Sequence, residues 1–265
     1  VGLNPPPADL LVHIPIHADA DLYRLVRDGK RLTDMPALGR SLTATEIWHL
    51  VNYLRVFEVD QRLAEAAFTR GLDLAGAGDD QQALASFDES IRRSPNHAQA
   101  YNARGVIQRR LGNYTAAIAD HTKAIELEPA FVEAYLNRGT DQYEAGNPAQ
   151  AILDYNRALA LDAELAPAYY ARGLALRSTG DAAAAIRDFD RAVKLNPQYA
   201  RAYLDRGLAR AELGDLPAAR ADLVAYVEQA PGAANRAAVD DLIAQLDNQI
   251  AGASPPPAPD TASLL

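Results

Sequence analysis

The stretch Ala134-Tyr135-Leu136-Asn137-Arg138-Gly139 decides how this chain folds, because it keeps coming back. It returns 34 residues later as Ala168-Tyr169-Tyr170-Ala171-Arg172-Gly173, and again as Ala202-Tyr203-Leu204-Asp205-Arg206-Gly207. The same step backwards finds Ala100-Tyr101-Asn102-Ala103-Arg104-Gly105, and one more finds Ala66-Ala67-Phe68-Thr69-Arg70-Gly71. A fixed period of this length marks a chain built from one small structural unit stacked on itself.

Working outward from that stretch fixes the unit. A second glycine column, Gly78, Gly112, Gly146, Gly180 and Gly214, follows a run of helix-compatible residues and precedes Asp or Asn. That is the pattern of a left-handed glycine ending one helix before a polar residue opens the next. An alanine column (Ala83, Ala117, Ala151, Ala185, Ala219) lies near the start of the second helix. Proline at Pro95, Pro129, Pro197 and Pro231 closes four of the units, since proline cannot continue a helix, while Ala163 holds the remaining slot with Pro167 just beyond. The units are therefore 64–97, 98–131, 132–165, 166–199 and 200–233, each a first helix, a turn and a second helix. Glycine inside a helix costs about 1 kcal/mol against alanine. Keeping Gly71 and its four equivalents predicts close approach of a neighbouring helix there.

These columns resemble the tetratricopeptide repeat. The Gly71 column matches the family's small residue in its first helix. The family's first-helix aromatic matches Tyr101, Tyr135, Tyr169 and Tyr203, with Ala67 departing. The second-helix aromatic matches Phe87, Tyr155 and Phe189, with His121 and Leu223 departing. The resemblance implies an all-α chain: five antiparallel helix pairs stacked into a superhelix, with a concave groove lined by the first helices. Residues 235–250, with Val239, Leu242, Ile243 and Leu246 on one face, read as a helix capping the last repeat, within a segment spanning 234–251. Residues 252–265, with Pro255-Pro256-Pro257, read as a disordered tail.

The groove implied by the resemblance accepts a protein or peptide partner. Its candidate wall residues are Phe68, Asn102, Leu136, Tyr170 and Leu204 in one row, Leu72, Val106, Thr140, Leu174 and Leu208 in a second, and Ala75, Arg109, Tyr143, Arg177 and Ala211 in a third. The alternative reading of any one of them is ordinary core between repeats. A clamp for acidic C-terminal tails, known in the family, needs Lys and Asn where this chain places Phe68 and Leu72, or Asn102 and Val106. It also needs Lys and Arg where Pro167 and Ala171 stand, so that binding mode is not expected even though Asn137 is present. The arginine column (Arg70, Arg104, Arg138, Arg172, Arg206) is followed 16 residues on by Asp120, Asp154, Asp188 and Asp222 in four units, and by Ser86 in the first. Paired columns of opposite charge predict ion pairs between the two helices of a unit rather than an anion site.

Residues 1–58 do not carry the repeat. Asn4-Pro5-Pro6-Pro7 is extended, 19–28 reads as a short helix with Leu22, Leu25 and Val26 apolar, and Thr43-Ala44-Thr45-Glu46 is a capping box opening a helix to about Phe57. The Met35-Pro36 step, followed by that helix with Trp48 and Tyr53, resembles the C-terminal half of a class I c-type cytochrome. On that resemblance Met35 is the haem axial ligand. The family attaches haem through Cys-x-x-Cys-His, and the chain has no cysteine. This polypeptide alone holds no cofactor of that kind; the resemblance implies either a longer parent that carries the motif upstream and binds haem c, or a cytochrome decayed to a structural remnant. His13 and His17, separated by Pro15, read as loop histidines rather than a helical metal pair.

Two functions follow. One is an interaction scaffold serving a redox protein, extracytoplasmic because c-type cytochromes mature outside the cytoplasmic membrane. The other is an electron-transfer protein whose repeats are its docking module. No nucleophile–base pair or phosphate-cradling loop is present, so an enzyme is not expected. A net charge of −9 argues against binding a phosphate backbone, so no nucleic-acid partner is expected. No apolar run reaches the roughly 20 residues of a membrane span.

Overall fold

The computed structural model describes residues 19–28 and 41–253. Met35, His13, His17, the proline-rich opening and the tail beyond Ala253 lie outside the described residues. The elements are helices: α1 (Asp19–Asp28), α2 (Ala44–Gly76), α3 (Asp80–Arg93), α4 (Ala98–Arg110), α5 (Tyr114–Leu127), α6 (Val132–Glu144), α7 (Pro148–Leu161), α8 (Ala166–Ser178), α9 (Ala182–Leu195), α10 (Ala200–Glu212), α11 (Leu216–Gln229) and α12 (Arg236–Ala253). Where the periodicity expects a single run of five units, the chain divides into two compact units, Val1–Ile107 and Gln108–Leu265, and the division falls inside α4.

In the first unit, Thr43 opens α2 as the sequence expects. Its hydroxyl accepts from Glu46 N–H (3.3 Å), and Glu46 Oε2 accepts from Thr43 N–H (2.7 Å). The helix does not stop near Phe57. It runs unbroken to Gly76, so the expected boundary after residue 58 falls in mid-helix. The reason is local: between Phe57 and Gly76 there is no proline, no glycine before Gly71, and a continuous supply of good helix formers. The N-terminal half of α2 buries Ile47, Val51 and Leu54 against Val26 of α1, with Tyr23 stacked on Trp48 at 4.7 Å. Its C-terminal half pairs with α3 around Ala83, Phe87 and Ile107.

The second unit holds the pairs α6–α7, α8–α9 and α10–α11, with α5 packed on α6, α7 on α8 and α9 on α10. Each first helix ends at a left-handed glycine; Gly180 has φ 90°. Asp181 then caps α9 by accepting from Ala184 N–H (2.9 Å), whereas Asn113 and Asn147 make no such side-chain bond. The closing prolines prove dispensable. α7 stops at Leu161, before Ala163, in the same register as α9 stops at Leu195, before Pro197. α12 buries Val239 and Leu246 against Leu223, Tyr226 and Val227, the capping role expected of it.

The glycine column has a sharper cause than helix approach. A Cβ on Gly139 would sit 2.6 Å from Tyr155 Cε1, one on Gly173 2.6 Å from Phe189 Cε1, and one on Gly71 2.5 Å from Phe87 Cε1. The second-helix ring lies flat in the gap that the missing side chain leaves. At Gly207, where Leu223 replaces the ring, the nearest atoms are 3.1–3.2 Å away. Gly173→Ala is therefore expected to lose about 1–3 kcal/mol by overpacking, net of the roughly 1 kcal/mol helix gain. Gly207→Ala is expected to lose clearly less. Urea denaturation of both variants checks this, and equal losses contradict the ring account.

One half-buried position in the first unit is expected to respond to pH. His97 stands where the other units place Phe131, Leu165, Tyr199 and Ala233. Its ring packs on Phe68 (4.7 Å), and its Nδ1 lies 3.1 Å from the buried Ser90 Oγ. Burial holds its pKa below the usual histidine value, with Glu65 opposing weakly. A histidine with a depressed folded pKa contributes fully above the unfolded value of about 6.5. That contribution is lost as pH falls through the folded value. The melting temperature of the wild type is expected to fall more between pH 7.5 and pH 5 than that of the Ser90→Ala/His97→Tyr double variant, which has nothing there to protonate.

Candidate partner-binding face

The residues expected to line a groove sit on the first helices, and in the second unit they form one face across α6, α8 and α10. Leu136 and Tyr143 lie half-buried against Ala151, Tyr155 and Ala175. Tyr170 and Leu174 lie against Ala185, Phe189 and Ala209, and Leu204 against the cluster around Leu223. These side chains thus serve both readings: one flank seals the repeat and the other faces out. Thr140 donates to Leu136 O (2.9 Å) and receives a long bond from Tyr155 OH (3.5 Å); burial raises the Tyr155 phenol to about 12.

Polar groups cross between these helices in two networks. In one, Tyr170 OH on α8 donates to Asp205 Oδ2 on α10 at 2.8 Å. Arg177, two α8 turns further, donates through Nε to Glu212 Oε1 (2.9 Å) and lies 3.6 Å from Asp205. Burial raises the Asp205 carboxyl above its ordinary value, against the hydrogen bond from Tyr170 and the charge of Arg177. The Tyr170 hydroxyl is raised too, by burial and by facing Asp205. In the other network, Arg109 Nη1 reaches Asp141 Oδ1 (3.3 Å) and the Asn137 carbonyl (3.4 Å). His121 Nδ1 lies 2.6 Å from the other Asp141 oxygen, and both side chains are fully buried. Arg109 and Arg177, two of the candidate wall residues, are each engaged by acids, Arg109 by Asp141 and Arg177 by Glu212 and Asp205. Asp205 has no acidic equivalent in the other units, and Asp141 recurs only as Asp73 and Glu212 only as Glu144, too sparsely to form a column.

Phe68 and Asn102 belong to the first unit. Phe68 packs half-buried against Phe87 (5.9 Å between rings) and His97. Leu72 is exposed.

The arginine column is structural, as its spacing predicts. Arg138 pairs bidentately with Asp154 (2.8 and 2.6 Å), Arg172 with Asp188 (both 2.7 Å) and Arg206 with Asp222 (2.9 and 2.5 Å), while Arg70 donates to Ser86 (3.0 Å). In the four later units the guanidinium also does something the spacing did not suggest. Its Nη1 reaches back 16 residues to the second helix of the preceding repeat: Arg104 to Asp88 (2.6 Å), Arg138 to Thr122 (3.2 Å), Arg172 to Asn156 (2.6 Å) and Arg206 to Asp190 (2.7 Å). The tyrosine three residues earlier stacks under the same group, at 5.8 Å for Arg138 and 5.2 Å for Arg206. Arg138→Ala strands Asp154, which is nearly buried, and is expected to cost about 2–3 kcal/mol in chemical denaturation. It is expected to leave affinity for any groove ligand unchanged, as measured on the folded fraction.

Among the described residues no group of three His, Cys, Asp or Glu side chains is placed to hold a metal, and no helix is long and apolar enough to cross a membrane.

This geometry agrees with what the chain matches. Family models of the tetratricopeptide repeat match residues 68–130, 166–199 and 190–244. The chain therefore carries tetratricopeptide repeats, the fold of a protein–protein interaction scaffold. Among solved structures it is similar to MamA, at 25% identity and a TM-score of 0.58, covering 64% of this chain and 92% of that one. It shares its fold with YrrB, described as a TPR protein with an unusual peptide-binding site (19% identity, TM-score 0.56, 66% and 90% covered). It shares it also with PilW, a type IV pilus biogenesis factor (19%, TM-score 0.65, 70% and 86% covered). No curated protein matches the chain.

Proposed function

We propose that the chain is a scaffold whose second unit grips an extended peptide, carrying aliphatic and basic side chains, along the face of α6, α8 and α10. The observation that carries this reading is the Tyr170–Asp205–Arg177–Glu212 network. It orders half-exposed polar groups across two repeats, beside the outward flanks of Leu136, Tyr143, Leu174 and Leu204. Basic side chains are favoured because Glu144, Asp205 and Glu212 outnumber Arg109 and Arg177 there, and Asp205 is held in a site that disfavours its charge. A cation beside Asp205 relieves that cost. YrrB's description as a peptide binder supports the mode, though at an identity that speaks for fold alone. The test is panning a random peptide library on the full chain, then anisotropy with the selected peptide. Selected sequences are expected to hold Lys or Arg next to Leu, Ile or Val. Asp205→Asn is expected to weaken binding about tenfold, a loss of 1.4 kcal/mol. Selection of acidic peptides, or affinity indifferent to Asp205, sinks the reading.

A finer reading makes the partner an extracytoplasmic redox protein. It rests on the resemblance of the segment before residue 58 to a cytochrome, and the matched family models begin at residue 68. Affinity capture with the full chain in a periplasmic extract is expected to recover a haem-staining c-type cytochrome on this reading. Capture of non-haem partners alone discards it.

A further inference from the structure

Every internal junction between repeats in this chain is made the same way, and the first repeat presents one half of a junction with the other half missing. In the second helices, the residue that accepts from the next repeat's arginine begins a four-residue pattern of acceptor, any residue, small residue, aliphatic residue. It reads Asp88-Glu89-Ser90-Ile91, Thr122-Lys123-Ala124-Ile125, Asn156-Arg157-Ala158-Leu159 and Asp190-Arg191-Ala192-Val193. The small residue is wholly buried in all four, and in α9 it packs with Val193 on Ala202 of the next first helix. The receiving surface is equally regular. It is an alanine and, four residues on, an arginine: Ala100 and Arg104, Ala134 and Arg138, Ala168 and Arg172, Ala202 and Arg206, with all four alanines completely buried.

The fifth receiving surface is Ala66 and Arg70 on α2, and it is open. Ala66 is exposed where its four equivalents are inaccessible. Arg70 is exposed and, among the described residues, donates only to Ser86, without the backward contact that its equivalents make. Among the described residues no second helix of a repeat precedes it, because α2 itself runs back through that stretch to Ala44. A cleft lined by Leu63, Ala66, Arg70 and Leu74 of α2 and by Ser86 and Glu89 of α3 opens at this place. The apolar surface continues along the same side of α2 through Val59 and Val56, which are 54% and 62% exposed. These residues fall within one stripe at helical spacing.

We propose that this open face is a second docking site, separate from the peptide face of the second unit, and that it takes an amphipathic helix of a partner protein carrying the acceptor–x–small–aliphatic pattern. The partner's Asp, Asn or Thr accepts from Arg70, its small residue sits on Ala66, and its aliphatic residue enters beside Leu63. The internal junctions supply the geometry, and the charge is complementary, since Arg70 has donors to give and the pattern begins with an acceptor. The length of the exposed stripe accommodates a helix longer than the 14 residues of the internal ones.

The experiment has two arms. In the first, Ala66→Arg and Ala168→Arg are melted in the full chain. An open face leaves the melting temperature of Ala66→Arg near wild type, while Ala168→Arg falls steeply. An equal fall means that another part of the chain already covers Ala66, and overturns the proposal. In the second, a hydrocarbon-stapled, labelled peptide of residues 182–196, with Asp190, Ala192 and Val193 on its free face, is titrated with the full chain by anisotropy. Saturable binding is expected. Arg70→Ala, Ala66→Arg or Asp190→Ala in the peptide is each expected to weaken it about tenfold. No binding, or binding indifferent to all three changes, overturns the proposal. So does concentration-dependent dimerisation abolished by Ala66→Arg, which makes the occupant a second copy of the chain.

Discussion

A guanidinium that ties its own helix to two others is the interaction on which this structure depends. Arg172 on α8 is typical. Its Nε and Nη2 hold Asp188 of its own partner helix, its Nη1 holds Asn156 of the preceding repeat, and Tyr169 lies beneath it. An ion pair this enclosed contributes little net stability against an apolar substitute, because desolvation offsets the attraction. What it contributes is register. Arginine's planar fork satisfies all three contacts only when the three helices are correctly set, so a repeat slipped by a turn leaves a nearly buried carboxylate unpaired. Stacked helices with alanine-rich contacts have few large side chains to interdigitate, and directional bonds take over the work of fixing their alignment.

The glycine columns complete that alignment from two sides. Gly180 and its equivalents turn the chain between the helices of a pair, in a backbone conformation that other residues resist. Gly71, Gly139 and Gly173 let the facing ring lie against bare backbone. The ring then seals the pair while its neighbours on the first helix keep one flank outward. The outward flanks of Tyr143, Tyr170 and Leu204 are therefore a by-product of how each pair is closed. A surface offered to a partner arises from the packing itself, and sequence changes there alter specificity without dismantling the repeat.

The periodic part of this structure was legible beforehand because it is periodic. Arg138 and Asp154 could be paired from spacing alone, since five copies of a column average away accident. Helix ends were legible where glycine marked them, and less so where proline did: α7 stops without Pro at position 163, at an extended Asp162 whose carboxylate accepts from Glu164 N–H. The end of α2 was misread for the opposite reason. A change of sequence style near residue 58 looks like a boundary, but a helix continues across it as long as each residue tolerates the conformation and one face finds a neighbour. Residues outside the full columns were the least legible. Asp141 meets Arg109 and His121 from the two preceding helices, and Asp205 meets Tyr170 from the next repeat, contacts that no five-fold column announced.

The sequence by itself determined the unit, its copy number, its helical pairs, their turns and the within-repeat ion pairs, because each of these rests on residues at a constant separation along one chain. Only the tertiary structure decided which acceptors complete each arginine's third contact, that Arg109 and Arg177 are neutralised rather than open, and that Ala66 and Arg70 stand uncovered while their equivalents are buried. Those facts depend on which helix lies next to which. Burial and hydrogen-bond satisfaction are properties of a residue's surroundings, and identical residues at identical positions in the repeat meet different surroundings at the end of the array.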